Sequence, residues 1–182
     1  MIRSPKITFM LLLLLLAATR QLSAQLRGDE WTSPNGHLTL KTRYVDDGLE
    51  YKIINNKTKK ISAGIPLLTR LLYLKWTDDD NTIIVVEHLA GCELARMLTF
   101  DNRKWMVDDV YPPGPWPNFF VVDIQPHQDS VTFKYKVMKD NGDYFGVCEF
   151  KYSIKSGKIS DVSDVPVSLG KFEALKPLGW PK

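Results

Sequence analysis

The 182-residue chain has two cysteines, three histidines and only a small excess of one charge, and these scarcities exclude more chemistry than any motif in it assigns. Metal centres gather several His, Cys or carboxylate ligands, with at least two of them close in sequence. Here His37, His88 and His127 are scattered, and neither Cys92 nor Cys148 belongs to a Cys-x-x-Cys pair. No metal site and no cofactor is expected. Asp78, Asp79 and Asp80 offer oxygens, but an EF-hand loop also needs a Gly at its sixth position and a Glu at its twelfth, and both are missing. The run reads as a solvated turn. A Gly-rich phosphate loop is lacking, as is a Gly-x-Ser-x-Gly turn that would present a nucleophile. Glu87-His88 is the one adjacent acid and imidazole. Neighbours on a strand point to opposite faces, so the pair reads as a strand leaving the core into solvent, and no catalytic residue is assigned.

Long apolar runs are also scarce, and the one present lies at the start. Arg3 and Lys6 precede an apolar stretch from Ile7 to Thr19, and Leu22-Ser23-Ala24 supplies the small residues a signal peptidase reads. The stretch is about 13 residues long, short of the ~20 that span a bilayer. Residues 1–24 are therefore expected to be a cleaved export signal, leaving no stable membrane insertion and a periplasmic or secreted product. The formal charge of +3 comes from Arg3, Lys6 and Arg20; without them 21 basic residues balance 21 acidic ones. A neutral domain has no global attraction for nucleic acid, which is not expected as a partner. Residues 25–182 suffice for one domain with its own core. In an oxidising compartment Cys92 and Cys148 are candidates for a disulfide, the alternative being two buried thiols.

Along that domain the apolar residues alternate. Leu38, Leu40 and Tyr44 oppose Thr39, Lys41 and Arg43, and Asp46-Asp47-Gly48 turns the chain into a second strand at Tyr51 to Ile54. Asn55-Asn56-Lys57-Thr58 is a further turn, and Asn56-Lys57-Thr58 is also a formal glycosylation sequon. Strands are predicted at Leu71 to Trp76 and at Ile83 to Val86, whose β-branched side chains on both faces point to an interior position. Glu93 to Phe100 suits a strand or a short helix, and the hairpin tip Asp101-Asn102-Arg103-Lys104 before Trp105 favours the strand. Val131, Phe133, Tyr135 and Val137 mark the clearest strand, turned at Asn141-Gly142 towards a partner whose inward face carries Cys148, Phe150, Tyr152 and Ile154. Residues 111–118 form a proline-rich connector, and the tail from 161 to 182 looks irregular, with Leu169 to Leu175 able to dock as a short segment.

Three stretches share one plan. Each has a polar opening (Ser33-Pro34-Asn35-Gly36, Thr77 to Asn81, His127-Gln128-Asp129-Ser130) and a Lys-bearing tip (Thr58 to Ile61, Asn102 to Trp105, Ser156 to Ile159). Their spacing of roughly 44 to 54 residues is near the ~40 to 50 of propeller blades. On Ser33-Pro34-Asn35-Gly36 and on Leu74 to Asp80 the chain resembles the blade repeats of bacterial periplasmic β-propellers, of the WD40-like and TolB-like kind. That resemblance implies antiparallel blades, but three units are fewer than the four that close a propeller. The expected fold is all-β, with antiparallel meander sheets in three blade-like repeats, either a propeller-like fragment or a β-sandwich.

What remains for function is aromatic surface, concentrated at Tyr111, Trp116, Phe119 and Phe120 around the connector. Rings on a rigid connector contribute large contact area at little entropic cost, although any one of them is also a candidate for the core. The expectation is a non-catalytic exported module that binds a protein partner there. The alternatives are a glycan-binding module or a small glycan-acting hydrolase whose residues converge only in space.

Overall fold

The computed structural model describes residues 30–45, 48–62, 64–66, 70–77, 81–89, 91–101, 104–140 and 142–178. Residues 1–24, expected to be an export signal, and Asp78 to Asp80, expected to be a solvated turn, lie outside them. The described chain is all-β apart from one short helix, and its twelve strands form three four-stranded antiparallel meanders. The N-terminal sheet holds β1 (Glu30–Thr32), β2 (Leu38–Val45), β3 (Gly48–Asn55) and β4 (Ile65–Pro66). The middle sheet holds β5 (Arg70–Trp76), β6 (Thr82–Leu89), β7 (Cys92–Asp101) and β8 (Lys104–Val110). The C-terminal sheet holds β9 (Asn118–Pro126), β10 (Ser130–Met138), β11 (Phe145–Ser153) and β12 (Ile159–Pro166). In each sheet the strand order follows the chain, and no sheet closes into a barrel.

The three repeats fall at equivalent places. Every opening joins the first strand of its sheet to the second, and every Lys-bearing tip joins the third to the fourth. The openings even share a closing bond: Ser33 N–H donates to Leu38 O at 2.9 Å, Thr77 N–H to Thr82 O at 2.9 Å, and His127 N–H to Ser130 O at 2.8 Å. At the first opening Gly36 takes φ 71°, a conformation costly for a residue with a Cβ.

The middle sheet is a true interior layer. On β6, Ile83 and Val85 pack with Leu40, Tyr51 and Ile53 of the N-terminal sheet, while Ile84 and Val86 pack with Val121, Phe133 and Tyr135 of the C-terminal sheet. Burial on both faces explains why β6 and the middle of β7 read as continuous apolar runs, and why the strand reading of Glu93 to Phe100 holds over the helical one. The outer faces of the stack are polar. Lys41 pairs with Glu30, and Arg43 and Lys52 with Glu50, on the N-terminal side; Lys134 pairs with Glu149 on the other. Polar terminal faces end a stack, whereas a ring of blades would bury them.

Two parts of the chain are more regular than the sequence suggests. Ile159 to Pro166 continues the C-terminal sheet as an edge strand with all eight residues exposed, and α1 (Leu169–Ala174) follows, capped by Ser168. The helix docks on the sheet's outer face through Phe172, whose ring lies 5.0 Å from that of Phe145. Lys136 clamps the same place, with its ammonium 4.7 Å from the Phe172 ring and donating to Leu175 O at 2.9 Å.

The proposed disulfide is overturned: Cys92 and Cys148 are both buried free thiols. They do occupy the third strands of adjacent sheets and border one apolar layer. Sharing a layer is not enough, since a disulfide needs its two sulfurs about 2 Å apart, and here the two thiols remain separate.

Candidate functional site

The connector between β8 and β9 places the four candidate aromatic residues in three different settings. Phe119 is core: its side chain is buried, edge-on to Tyr135 at 6.0 Å, and it packs in the layer between the middle and C-terminal sheets. Phe120, the next residue, points to the opposite face of β9, where the Lys136 ammonium lies 5.5 Å above its ring. Tyr111 is half exposed and meets Phe119 edge-on at 6.0 Å. Only Tyr111 and Trp116 remain available to a partner on the connector itself.

Trp116 is held from several sides. Its indole stacks on Tyr144 with centroids 5.1 Å apart and planes 21° apart, and Nε1–H donates to Pro113 O at 2.9 Å. Gly114 runs beneath it at φ 120°, and a Cβ there would come within 2.6 Å of the indole nitrogen. Tyr144 is fixed in turn, since its hydroxyl donates to Asp164 Oδ1 at 2.7 Å and Lys139 lies 5.7 Å above its ring. Burial and the Asp164 carboxylate push the Tyr144 phenol up to about 12, so it stays a donor throughout the physiological range. Trp116, Pro115, Pro117, Lys139 and Asp140 line a shallow depression, at whose edge Asn118 Nδ2 donates to Asp140 Oδ1 at 2.8 Å. The result is a rigid aromatic platform bordered by one basic and one acidic side chain.

On the other side of the connector, Tyr111 borders a cleft lined by Arg96, Asp108, Asp109 and Tyr152. Here the structure corrects the reading of Glu87. That residue does not leave the core for solvent but is completely buried, on the side of β6 that faces the N-terminal sheet. Its charge is met by Arg96, whose Nη1 lies 3.1 Å from Glu87 Oε1 and 2.8 Å from Pro66 O, while Nε lies 2.9 Å from Asp109 Oδ1. Burial works against the guanidinium, but Glu87 and Asp109 outweigh it and hold Arg96 more firmly charged than a free arginine. Tyr51 lies beside Glu87, and burial together with that carboxylate keeps its phenol protonated. His88 is exposed on the opposite face, so acid and imidazole do not converge.

A second buried carboxylate, Glu93, accepts from Val121 N–H at 3.2 Å and ties β7 to β9. Beside it the Tyr135 hydroxyl donates to Val110 O at 2.7 Å, a second polar link between the two sheets. Neither Glu93 nor Arg96 was signalled as buried by the sequence. Charge at an inward position of an otherwise apolar run is the available clue, and the helix-or-strand ambiguity of residues 93–100 hides which positions face inward. Among the described residues no cluster of three or more His, Cys, Asp or Glu side chains is placed to hold a metal ion. The sequon residue Asn56 uses its amide to tie two surface turns, donating to Gly36 O at 2.8 Å and to Thr39 Oγ1 at 3.0 Å.

No protein-family model matches the chain, and no curated protein matches it in sequence.

Proposed function

We propose that the protein is a non-catalytic binding module, exported by its N-terminal signal, that recognises a protein partner through Trp116 and Tyr111 on the proline-rich connector. The observation that carries this reading is the immobilised indole of Trp116, stacked on Tyr144 and hydrogen-bonded to Pro113, beside an open depression. A ring already fixed in place loses little entropy on binding, which is the property of an interface anchor. Lys139 and Asp140 at the rim give such a contact its polar register. Phe119 and Phe120 serve this surface from below and behind, as core and as a support for Lys136.

The separation of Glu87 from His88 weighs against the hydrolase alternative. Glycan binding retains one specific observation in its favour, the aromatic platform next to the Asn118–Asp140 hydrogen-bonded pair, which has the mixed character of a sugar subsite. The common plan of the three meanders supports the blade-like reading of the repeats, arranged as an open stack.

The test is capture of partners by the tagged mature chain from envelope and secreted fractions, with Trp116→Ala and Lys134→Ala run in parallel. The expected result is one stoichiometric protein retained by the parent and by Lys134→Ala and lost with Trp116→Ala. Retention by all three would remove the connector as the site. Saturable binding of a polysaccharide that also depends on Trp116 would instead assign the platform to glycan.

A further inference from the structure

A second concavity lies away from the connector, where the layer between the N-terminal and middle sheets opens to solvent. One wall is formed by residues between Asn55 and Ser62 with Gly64 and Ile65, the other by Phe100, Lys104 and Trp105; the space between them is about 460 Å³. That is within the roughly 300–1,000 Å³ of small-molecule sites. Its floor and walls are apolar: Leu38, Ile53, Ile61, Ile65, Phe100 and Trp105. Phe100 and Ile61 are 41% and 59% exposed, a poor arrangement for large apolar side chains unless something covers them.

Much of the wall's backbone is already paired. Asn55 N–H donates to Lys60 O at 2.9 Å and Ser62 N–H to Ile53 O at 2.8 Å, so residues 60–62 run along β3 as an extension of its ladder. Ser62 Oγ accepts from Ile53 N–H at 2.9 Å, and Asn55 Oδ1 accepts from the amides of Lys57 and Thr58. Phe100 and Trp105 face each other across the hairpin with centroids 5.4 Å apart. An extended peptide would find few backbone partners in such a groove. Among the described residues the ionised groups lining it are Lys60 and Lys104, both cationic, and no ion pair engages either.

An apolar slot with two ammonium groups and, among the described residues, no lining acid is complementary to one kind of molecule. We infer that this groove binds a free single-chain fatty carboxylate, with its alkyl chain between Ile53, Ile65 and Trp105 and its carboxylate at Lys60 and Lys104. This inference concerns a different face from the connector and stands or falls independently of the protein-binding reading. The alkyl chain would bury the exposed flanks of Phe100 and Ile61, and the carboxylate would receive charge-assisted hydrogen bonds.

The test is calorimetric titration of the mature chain with decanoate below its micelle concentration, set against decylammonium and decanol. Decanoate should bind saturably, one molecule per chain, and at least about tenfold more tightly than decylammonium. The double variant Lys60→Gln, Lys104→Gln should lose at least about tenfold in decanoate affinity while binding decanol as the parent does, which separates loss of charge recognition from loss of fold. The inference is overturned by an absence of saturable decanoate binding, by equal binding of decylammonium, or by unchanged decanoate affinity in the double variant. It is also overturned if the chain sediments with anionic phosphatidylglycerol vesicles but takes up no free decanoate, because the surface would then read a membrane.

Discussion

Arg96 Nη1 lies 3.1 Å from Glu87 Oε1 across two adjacent strands of the middle sheet, with the carboxylate side chain fully buried and the guanidinium 9% exposed. The register pairs Arg96 directly with Val85 and Asp109, and Glu87 with Leu94, so the ion pair is a diagonal contact on the face that meets the N-terminal sheet. A buried pair of this kind is weak evidence for net stability, since desolvation offsets most of the attraction. Removing one partner is different, because the other is left charged in the core. Arg96→Met is therefore expected to destabilise the fold by about 3–5 kcal/mol. The double change Glu87→Leu, Arg96→Met should recover most of that loss. Urea denaturation of the parent, the single and the double variant checks this, and a double variant as unstable as the single one would contradict it.

Cys92 and Cys148 should behave as inert thiols. Burial pushes both up, Cys148 to about 11, and the neighbouring Glu93 and Asp164 carboxylates add to the effect. A thiol without thiolate character reacts slowly. At pH 8 the folded protein is expected to leave a chromogenic disulfide reagent almost untouched, and to react twice per chain once unfolded. The intact mass should not change on reduction. A two-proton mass gain with reductant would restore the disulfide.

The sequence revealed the repeat better than the number of strands. Strands with one buried face, such as β2 and β10, announced themselves by alternation, and β6 by β-branched residues on both faces. The first strand of two sheets escaped notice for separate reasons. β1 is three residues long, and β9 buries Phe119, Val121 and then Ile124, because an extra residue bulges opposite Lys134 and Tyr135 and breaks the period of two. β12 has no buried face at all and is held by its backbone pairing to β11, so it left no pattern to read. The aromatic cluster was legible as composition only. Which ring faces the core, the connector or the back of β9 depends on that same bulged register.

Division of the cluster has a measurable consequence. Phe119→Ala removes a buried ring from the layer between two sheets and is expected to cost about 3–5 kcal/mol. Trp116→Ala removes a partly buried ring that packs against the edge of the same core layer, with its stacking contact and one hydrogen bond, worth about 1–3 kcal/mol. Thermal unfolding should rank them in that order, and Trp116→Ala should keep the far-ultraviolet spectrum of the parent. Equal losses would mean that Trp116 serves the core as fully as Phe119 does and is no interface anchor.

Alkaline pH should unfold the protein well before its lysines as a class discharge. Burial raises eight acidic protons above their ordinary range: Cys148 to about 11, Tyr144 and Tyr152 to about 12, Tyr51 and Tyr135 higher still, with Cys92, Tyr73 and Tyr111 moved the same way. In the unfolded chain thiols and phenols ionise between about pH 8.5 and 10. Below that range both states hold these protons and stability does not depend on them. Above it the unfolded chain gives them up while the folded one keeps them, so stability falls as pH rises, by about 1.4 kcal/mol per pH unit for each group. Lys136, lowered by burial against Phe120 and Phe172, acts in the opposite sense but is one group against eight. The urea midpoint should therefore stay level up to about pH 8.5 and drop steeply towards pH 11. Tyr135→Phe should flatten that drop by the share of one group, at the cost of its bond to Val110 O at neutral pH. A midpoint that held level to pH 11 would place these phenols and thiols in contact with water and undo the layered core described for them.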